Sequence, residues 1–352
     1  MVNPFHRKRP NFTDGKFISI MKERKFGKLT VPPIGFGAMG LSMGYGQAPT
    51  RSDAIKMLKE AYDTGYRHFD TAEIYANGQN EEMIGEALRS NRKEIILATK
   101  FLIQEPWENK SKANLEKELR TRLENSLSRL QTEYLDIYYQ HRVNKDIPVE
   151  WVAEIMGKFI DEGKIMGWGQ SQPQAYEIIK AHRITPLTCI QSEYSMMARQ
   201  FEKEIIPLCN DLKIGFVAFS PLAGGFLSGK ITSKSTFEGF DARRVINRYE
   251  EKNMLANEPL LDLLYSFASK KAATPAQISL AWMLHKNQNM VAIPGAKKLN
   301  MIKENFDGSE ISFTDEEFKL LDDEISKIPI FGNRRDEDIA KLRDLISMDS
   351  RS

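Results

Sequence analysis

From Ile34 onward the chain alternates short apolar runs, rich in β-branched and aromatic residues, with longer stretches of helical period. That alternation is the signal of parallel strands joined by crossover helices. The apolar runs fall at 34–39, 68–72, 95–100, 134–141, 165–171, 187–194, 215–220 and 290–294, and the helical stretches at 53–64, 81–90, 112–130, 149–162, 175–181, 202–211, 259–271 and 300–305. Thr64-Gly65 and Glu162-Gly163 supply helix stops, and Thr274-Pro275 opens a further helix through Trp282. Each strand leads to a helix without a break in composition, so the pattern predicts an α/β fold closed as a (β/α)₈ TIM barrel rather than two doubly wound halves with open edges.

The barrel is expected over residues 21–325, after an N-terminal arm of residues 1–20 and before a charged C-terminal tail of residues 326–352. Weak alternation around Phe26-Gly27-Lys28 predicts an N-terminal β-hairpin that closes the barrel's bottom. One interval breaks the rhythm. The long loop after strand seven, residues 222–257, has no clear period and carries Gly224, Gly225, Phe237, Phe240, Arg243, Arg244 and Arg248; a loop of that length in a compact domain usually serves function.

Composition narrows the function classes. Over 352 residues, 50 basic and 48 acidic side chains leave a net charge of +2, so no broad field attracts nucleic acid or anionic lipid. No run approaches the roughly 18 apolar residues of a membrane span. The two cysteines, Cys189 and Cys209, build no disulfide framework or metal motif. A cytoplasmic protein acting on a small molecule, as a monomer or small homo-oligomer, is expected.

Two short motifs compete for attention. Gly35-Phe36-Gly37-Ala38-Met39-Gly40 matches a dinucleotide fingerprint, and Gly40-Leu41-Ser42-Met43-Gly44 matches the serine elbow of hydrolases. Both mechanisms need a helix at once, whereas the chain runs on to Pro49 before a helix can start. Both are read as one flexible loop.

A stronger constellation lies at the C-terminal ends of three predicted strands, where barrel enzymes keep their active sites: Asp70 and Tyr75, Lys100, and His141. Each alone has a structural explanation; together they form an acid device. A lysine ammonium beside a tyrosine lowers the phenol's pKa, Asp70 keeps Lys100 charged, and His141 donates to a carbonyl oxygen. The set contains no nucleophile, and no H-x-x-x-H metal pair occurs among the five histidines, so hydride must come from a bound cofactor. Phosphates in such barrels bind after strands seven and eight, where Phe219-Ser220-Pro221-Leu222-Ala223-Gly224-Gly225 and Ile293-Pro294-Gly295-Ala296-Lys297-Lys298 stand. The lysine pair before a helix N-terminus points to NADPH over NADH.

At these residues the sequence resembles the aldo-keto reductase superfamily across nearly the whole barrel, through Gly65-Tyr66-Arg67-His68-Phe69-Asp70-Thr71-Ala72-Glu73-Ile74-Tyr75, Asn80-Glu81-Glu82-Met83-Ile84-Gly85, Ala98-Thr99-Lys100 and Asp136-Ile137-Tyr138-Tyr139-Gln140-His141-Arg142. The resemblance implies that Asp70, Tyr75, Lys100 and His141 are the catalytic tetrad, with Tyr75 the proton donor. It implies cofactor contacts from Gly37, Ala38 and Met39, from Asp70, and from Ser171, Gln172 and Gln191 near the carboxamide. Phe219 falls where a ring stacks on the nicotinamide; Ser220, Pro221, Leu222 and Gly224 fall on the pyrophosphate strap; Gly295, Ala296, Lys297, Met301, Glu304 and Asn305 fall near the adenosine. Ala296 stands where Ser or Thr is usual, and Met301 where many members have arginine, which passes the 2′-phosphate to Lys297. The Tyr-Tyr-Gln-His-Arg run and the long loop are most similar to the microbial and plant branch with perakine-reductase-like enzymes. The implied activity is NADPH-dependent reduction of aldehydes, with ketones possible. Alternatives are a specialised pyridoxal reductase, a cofactor-sensing regulatory subunit with little turnover, and a serine hydrolase acting through Ser42.

Overall fold

The computed structural model describes residues 23–104, 106–107 and 110–335. The expected arm and the tail beyond 335 lie outside the described residues. The chain enters through a hairpin, β1 (Arg24–Phe26) against β2 (Leu29–Val31), with Arg24 opposite Val31 and Phe26 opposite Leu29. Its turn sits at Gly27, whose φ of +57° suits a residue without a Cβ.

The first half of the barrel runs β3 (Phe36–Gly37), α1 (Arg51–Thr64), β4 (His68–Asp70), α2 (Gln79–Leu88), β5 (Ile96–Phe101), α3 (Lys112–Arg129), β6 (Ile137–Gln140) and α4 (Val149–Asp161). The second half runs β7 (Trp168–Ser171), α5 (Ala175–Ile184), β8 (Cys189–Glu193), α6 (Ile205–Asp211) and β9 (Gly215–Phe219), then α7 (Glu251–Ala256), α8 (Glu258–Lys271) and α9 (Pro275–Lys286). β10 (Met290–Ala292), α10 (Leu299–Asp307) and α11 (Asp315–Lys327) complete it. Strands β3 to β10 pair in chain order, all parallel. The ring closes where Gly35 N donates to Ala292 O at 2.8 Å and Ala292 N to Pro33 O at 2.9 Å. The expected (β/α)₈ fold is the one observed.

Two apolar cores follow from strand alternation. One parity of each strand faces the helices and builds the large core around Phe69, Leu97, Tyr138, Trp168 and Trp282. The other parity faces the barrel axis, where Ile96, Ala98, Ile137, Tyr139, Cys189, Val217, Val291 and Ile293 meet Phe26, Leu29 and Val31 of the hairpin. The hairpin is thus a plug, and burying the Phe26 ring contributes about 2 kcal/mol. Two inward glycines make room for the rings: a Cβ on Gly215 would meet the Phe26 ring at 2.3 Å, and one on Gly169 would meet the Tyr139 ring at 2.7 Å.

Inward parity also decides what stands at the top of the barrel. Asp70 shares a face with His68, Lys100 with Ile96 and Ala98, His141 with Ile137 and Tyr139, Ser171 with Gly169, Gln191 and Glu193 with Cys189, and Phe219 with Gly215 and Val217. Strands β5, β6, β8 and β9, which pack apolar residues low in the barrel, therefore deliver a polar or aromatic group at their C-terminal ends, whereas β10 stays apolar through Val291 and Ile293.

Three departures from the sequence expectation have physical causes. β3 is shorter than the apolar run 34–39, because the chain turns after Gly37 into a 3₁₀ turn at Met39–Leu41. A Cβ on Gly37 would lie 2.5 Å from Ile293 O, so this glycine allows a close approach of the loops after β3 and β10. Second, α11 was not anticipated: it buries only Leu321 and Ile325, too few for a clear period, although the Thr314–Glu317 capping box was a readable start signal. Third, the interval 222–257 is not shapeless. It contains 3₁₀ turns at Ala223–Ser228, Ala242–Arg244 and Asn247–Tyr249, and then α7.

Candidate active site

At the mouth of the barrel Lys100 Nζ makes a very short ion pair with Asp70 Oδ1 and donates to Thr71 O at 2.7 Å. Gln191 Nε2 donates to the other Asp70 oxygen at 2.8 Å. Both charged groups are almost fully buried, at 1% and 3% exposure for Lys100 and Asp70. The Lys100 ammonium lies 5.2 Å from the centre of the Tyr75 ring, and that ring meets His141 edge-on at 5.9 Å. The structure therefore brings Asp70, Tyr75, Lys100 and His141 into one cluster.

Tyr75 is aimed by an unusual local backbone. It opens a 3₁₀ turn, Tyr75–Gly78, in which Ala76 and Asn77 are both left-handed, with φ of +49° and +54°. Left-handed conformations in non-glycine residues persist only where their surroundings impose them. Just beyond the turn Asn80, 1% exposed, ties the start of α2 to the neighbouring loops: it accepts from Thr71 Oγ1 at 2.7 Å and donates to Ala38 O at 2.9 Å and Ser42 Oγ at 2.8 Å. Glu81 and Glu73, both buried, carry Thr99 and Arg129 on one side and the Leu102 amide and Arg122 on the other. These positioning groups were not singled out in the sequence, although Asn80 and Glu81 stand in one of its motifs.

Electrostatics sharpen the roles. Burial pushes the Tyr75 phenol above its ordinary value, and Lys100 opposes that shift without reversing it. This corrects the expectation that Lys100 brings the phenol down towards neutrality: desolvation of a fully buried phenolate outweighs one nearby cation. Burial works against the Lys100 ammonium, yet Asp70 and Tyr75 together raise it overall. His141 is held well below its ordinary value, first by burial and then by Lys100, Arg142 and Arg334. A neutral imidazole carries one N–H for donation.

Deeper on β4, His68 is fully buried and its pKa is lowered to about 4, again mainly by burial. A histidine kept neutral in the fold stabilises least where the unfolded chain is protonated. The contribution is intact above the unfolded value of about 6.5 and is lost as pH falls from there towards 4, at a cost of about 3 kcal/mol. Urea unfolding at a series of pH values should show this decline, and His68→Gln should flatten it; an unchanged slope in the variant would mean that His68 is not the group responsible.

The remaining expected contacts lie along one face of the mouth. Ser171 Oγ accepts from Arg142 at 3.1 Å, and Gln172 is left-handed with its buried Oε1 lacking a protein partner. After β9, Ser220, Ala223, Gly224 and Gly225 all take positive φ. The long loop then folds across the loop after β3: Ala242 N donates to Gly44 O, Gly46 N to Phe240 O, and Arg243 stacks between Phe237 and Tyr45 while paired to Asp241. After β10, Ala296 is buried and Met301 packs on the core. Glu304 pairs with Lys230 at 2.6 Å, and Asn305 donates to Gly295 O at 3.3 Å. Lys297 Nζ donates to Tyr45 O and Gln47 O at 2.7 and 2.6 Å, which ties this loop to the loop after β3.

This face fits an anionic dinucleotide. The left-handed run after β9 lets backbone approach a pyrophosphate, α10 begins without a side-chain cap, and the unpartnered Gln172 oxygen can accept from an amide. The dinucleotide fingerprint at Gly35 and the serine elbow at Ser42 do not form: a 3₁₀ turn follows, α1 starts only at Arg51, and Ser42 Oγ accepts from Asn80.

The family model described as the aldo/keto reductase family matches residues 33–325. The chain belongs to the aldo/keto reductase family. Among curated relatives, Probable aldo-keto reductase 1 of Glycine max is 34% identical over 308 residues, covering 86% of this chain and 88% of its own. An aldo/keto reductase of Klebsiella pneumoniae, solved with NADP and acetate, is 27% identical with a TM-score of 0.68 over 90% of this chain and 98% of its own. A thermostable aldo-keto reductase solved with the inhibitor epalrestat is 29% identical, with a TM-score of 0.69 over 87% of this chain and all of its own. Among the described residues no group of His, Cys, Asp and Glu can hold a metal ion, and no helix is long and apolar enough to cross a membrane.

Proposed function

We propose that this chain reduces aldehydes, and some ketones, to alcohols with NADPH, and that Tyr75 delivers the proton. The observation that carries the reading is the buried cluster of Asp70, Lys100, Tyr75 and His141 at the barrel mouth. NADPH, when bound, supplies the hydride. His141, neutral, donates its N–H to the carbonyl oxygen and orients it. The raised pKa of Tyr75 keeps the phenol protonated at neutral pH, which an acid requires. As its proton leaves for the substrate oxygen, Lys100 stabilises the phenolate left behind, and Asp70 holds Lys100 charged and in place.

Cofactor choice follows from the adenosine side. The residues there, Gly295, Ala296, Lys297, Met301, Glu304 and Asn305, would hold the nucleotide's end, with Ser171, Gln172 and Gln191 at the carboxamide, Phe219 at the nicotinamide, and Ser220, Pro221, Leu222 and Gly224 along the pyrophosphate. Gly37, Ala38 and Met39 border the same end. Lys297 has a further N–H beyond the two given to backbone carbonyls, and it lies before the uncapped start of α10. That positive end supports a 2′-phosphate and hence NADPH over NADH. The Klebsiella relatives solved with NADP and with NADPH support the same choice.

Turnover of para-nitrobenzaldehyde with NADPH and with NADH, followed by loss of the reduced nicotinamide absorbance, tests the reading. NADPH should be preferred at least about tenfold in kcat/KM, the scale of one charge-assisted contact. Equal use of both cofactors would remove the phosphate assignment.

A further inference from the structure

The loop after β3, the turn that carries Tyr75 and the long loop after β9 frame a cavity of about 990 Å³. Ile74 and Ala76, the two neighbours of Tyr75 in the chain, line one wall. Met43 lines it from the loop after β3, and Phe237 and Phe240 line it from the long loop. The far wall is held in place. Gly46 N donates to Phe240 O at 3.2 Å, while Phe237 carries the Arg243 guanidinium at 4.3 Å and meets Tyr249 edge-on. Pockets for small molecules span about 300–1,000 Å³, so this one stands at the upper end and a simple aldehyde leaves most of it unfilled. Two large apolar side chains left partly in solvent, Ile74 at 39% and Phe240 at 37% exposure, both belong to its lining. Apolar surface gathered around a concave site marks a place where a ligand lies.

The charge of the lining is one-sided. No lysine or arginine lines the cavity, whereas Glu238 and Asp241 do. Asp241 is buried and committed to Arg243, whose Nη2 lies 2.6 Å from Oδ2. Glu238 is exposed and pairs with no cation among the described residues. The neighbouring Arg244 is engaged elsewhere, donating to Gly239 O at 3.0 Å. Glu238 therefore brings an unmatched carboxylate to the rim, two residues from the Phe240 ring. A carboxylate beside an aromatic face suits an organic cation, above all a substituted ammonium, which gains from both and is cheaply stripped of water.

Resting on the reductase reading above, we infer that this cavity takes the body of the substrate and that Glu238, with Phe240, selects carbonyl compounds whose bulky apolar part ends in a cation. His141 and Tyr75 take the carbonyl oxygen, the apolar part lies along Ile74 and Phe237, and the cation reaches the rim. The reaction is unchanged: hydride adds to the carbonyl carbon, the Tyr75 proton adds to the oxygen, and the cationic group passes through intact.

The test compares para-(trimethylammonioethoxy)benzaldehyde with para-neohexyloxybenzaldehyde, which has the same shape with carbon in place of the charged nitrogen. At saturating NADPH and low salt the wild-type protein should favour the cation by about fivefold or more in kcat/KM, chiefly through KM. Glu238→Gln should lower that ratio by about fivefold, Glu238→Lys should lower it further, and added salt should compress the wild-type ratio. Ile74→Trp, which narrows the cavity, should penalise the neohexyloxy compound at least about tenfold more than para-nitrobenzaldehyde. A ratio that Glu238→Gln leaves unchanged, or equal penalties for the long and the short aldehyde in Ile74→Trp, would overturn the inference. A wild-type protein that reduces the neutral compound without favouring the cation sinks the inference and leaves the reductase reading standing. One that reduces no aldehyde of the set sinks both.

Discussion

Tyr75→Phe should abolish carbonyl reduction, with kcat and kcat/KM falling together by about 10³-fold or more, the scale of a lost general acid. The substitution removes one hydroxyl and nothing else. The ring keeps its edge contact with His141 and its place 5.2 Å from the Lys100 ammonium, so the cluster stays packed. Affinity for NADPH should change by less than about threefold, because the hydroxyl serves the substrate oxygen rather than the cofactor. Steady-state rates beside fluorescence titration with NADPH separate the two effects. Activity within about tenfold of wild type would mean that another group delivers the proton.

Lys100→Met should cost stability as well as activity. The ammonium pairs with Asp70 and holds Thr71 O; its loss leaves a buried carboxylate that still accepts from Gln191 but has lost its cation. Breaking a buried pair by removing one partner costs about 3–5 kcal/mol. Urea unfolding should register that loss, and reduction should fall by at least about 10²-fold because the phenolate forms without its cation. Adding Asp70→Asn should recover most of the stability and none of the activity. A single variant within about 1 kcal/mol of wild type would contradict the view that this pair anchors the site.

The parts of this molecule legible in the sequence are those governed by local periodicity. Asp70, Lys100 and His141 sit at the ends of runs whose alternation dictates an inward face, so their convergence follows once the sheet closes. The hairpin plug was legible for the same reason: Gly27 marks its turn, and Phe26, Leu29 and Val31 face one way. What escaped depends on contacts distant in the chain. Arg334 reaches Phe219 only because Asn257 and Asn247 clamp the tail, and Glu193 meets Arg248 across the long loop. The direction of the Tyr75 shift was misjudged because it is set by how completely the fold dries the phenol, and no residue pattern reports that. The expected role of Lys297 gained a second aspect, since its ammonium also fastens the loop after β3.

The central claim is that the buried tetrad performs carbonyl reduction rather than merely holding a nucleotide. Its most direct measurement is a single-turnover experiment in which protein preloaded with NADPH is mixed with para-nitrobenzaldehyde or para-(trimethylammonioethoxy)benzaldehyde and the alcohol is quantified against cofactor consumed. One alcohol should form per NADPH oxidised, and none with Tyr75→Phe carrying the same bound cofactor. NADPH that stays bound and unoxidised in the wild-type protein with both aldehydes would contradict it and mark the chain as a nucleotide-binding partner on a reductase scaffold.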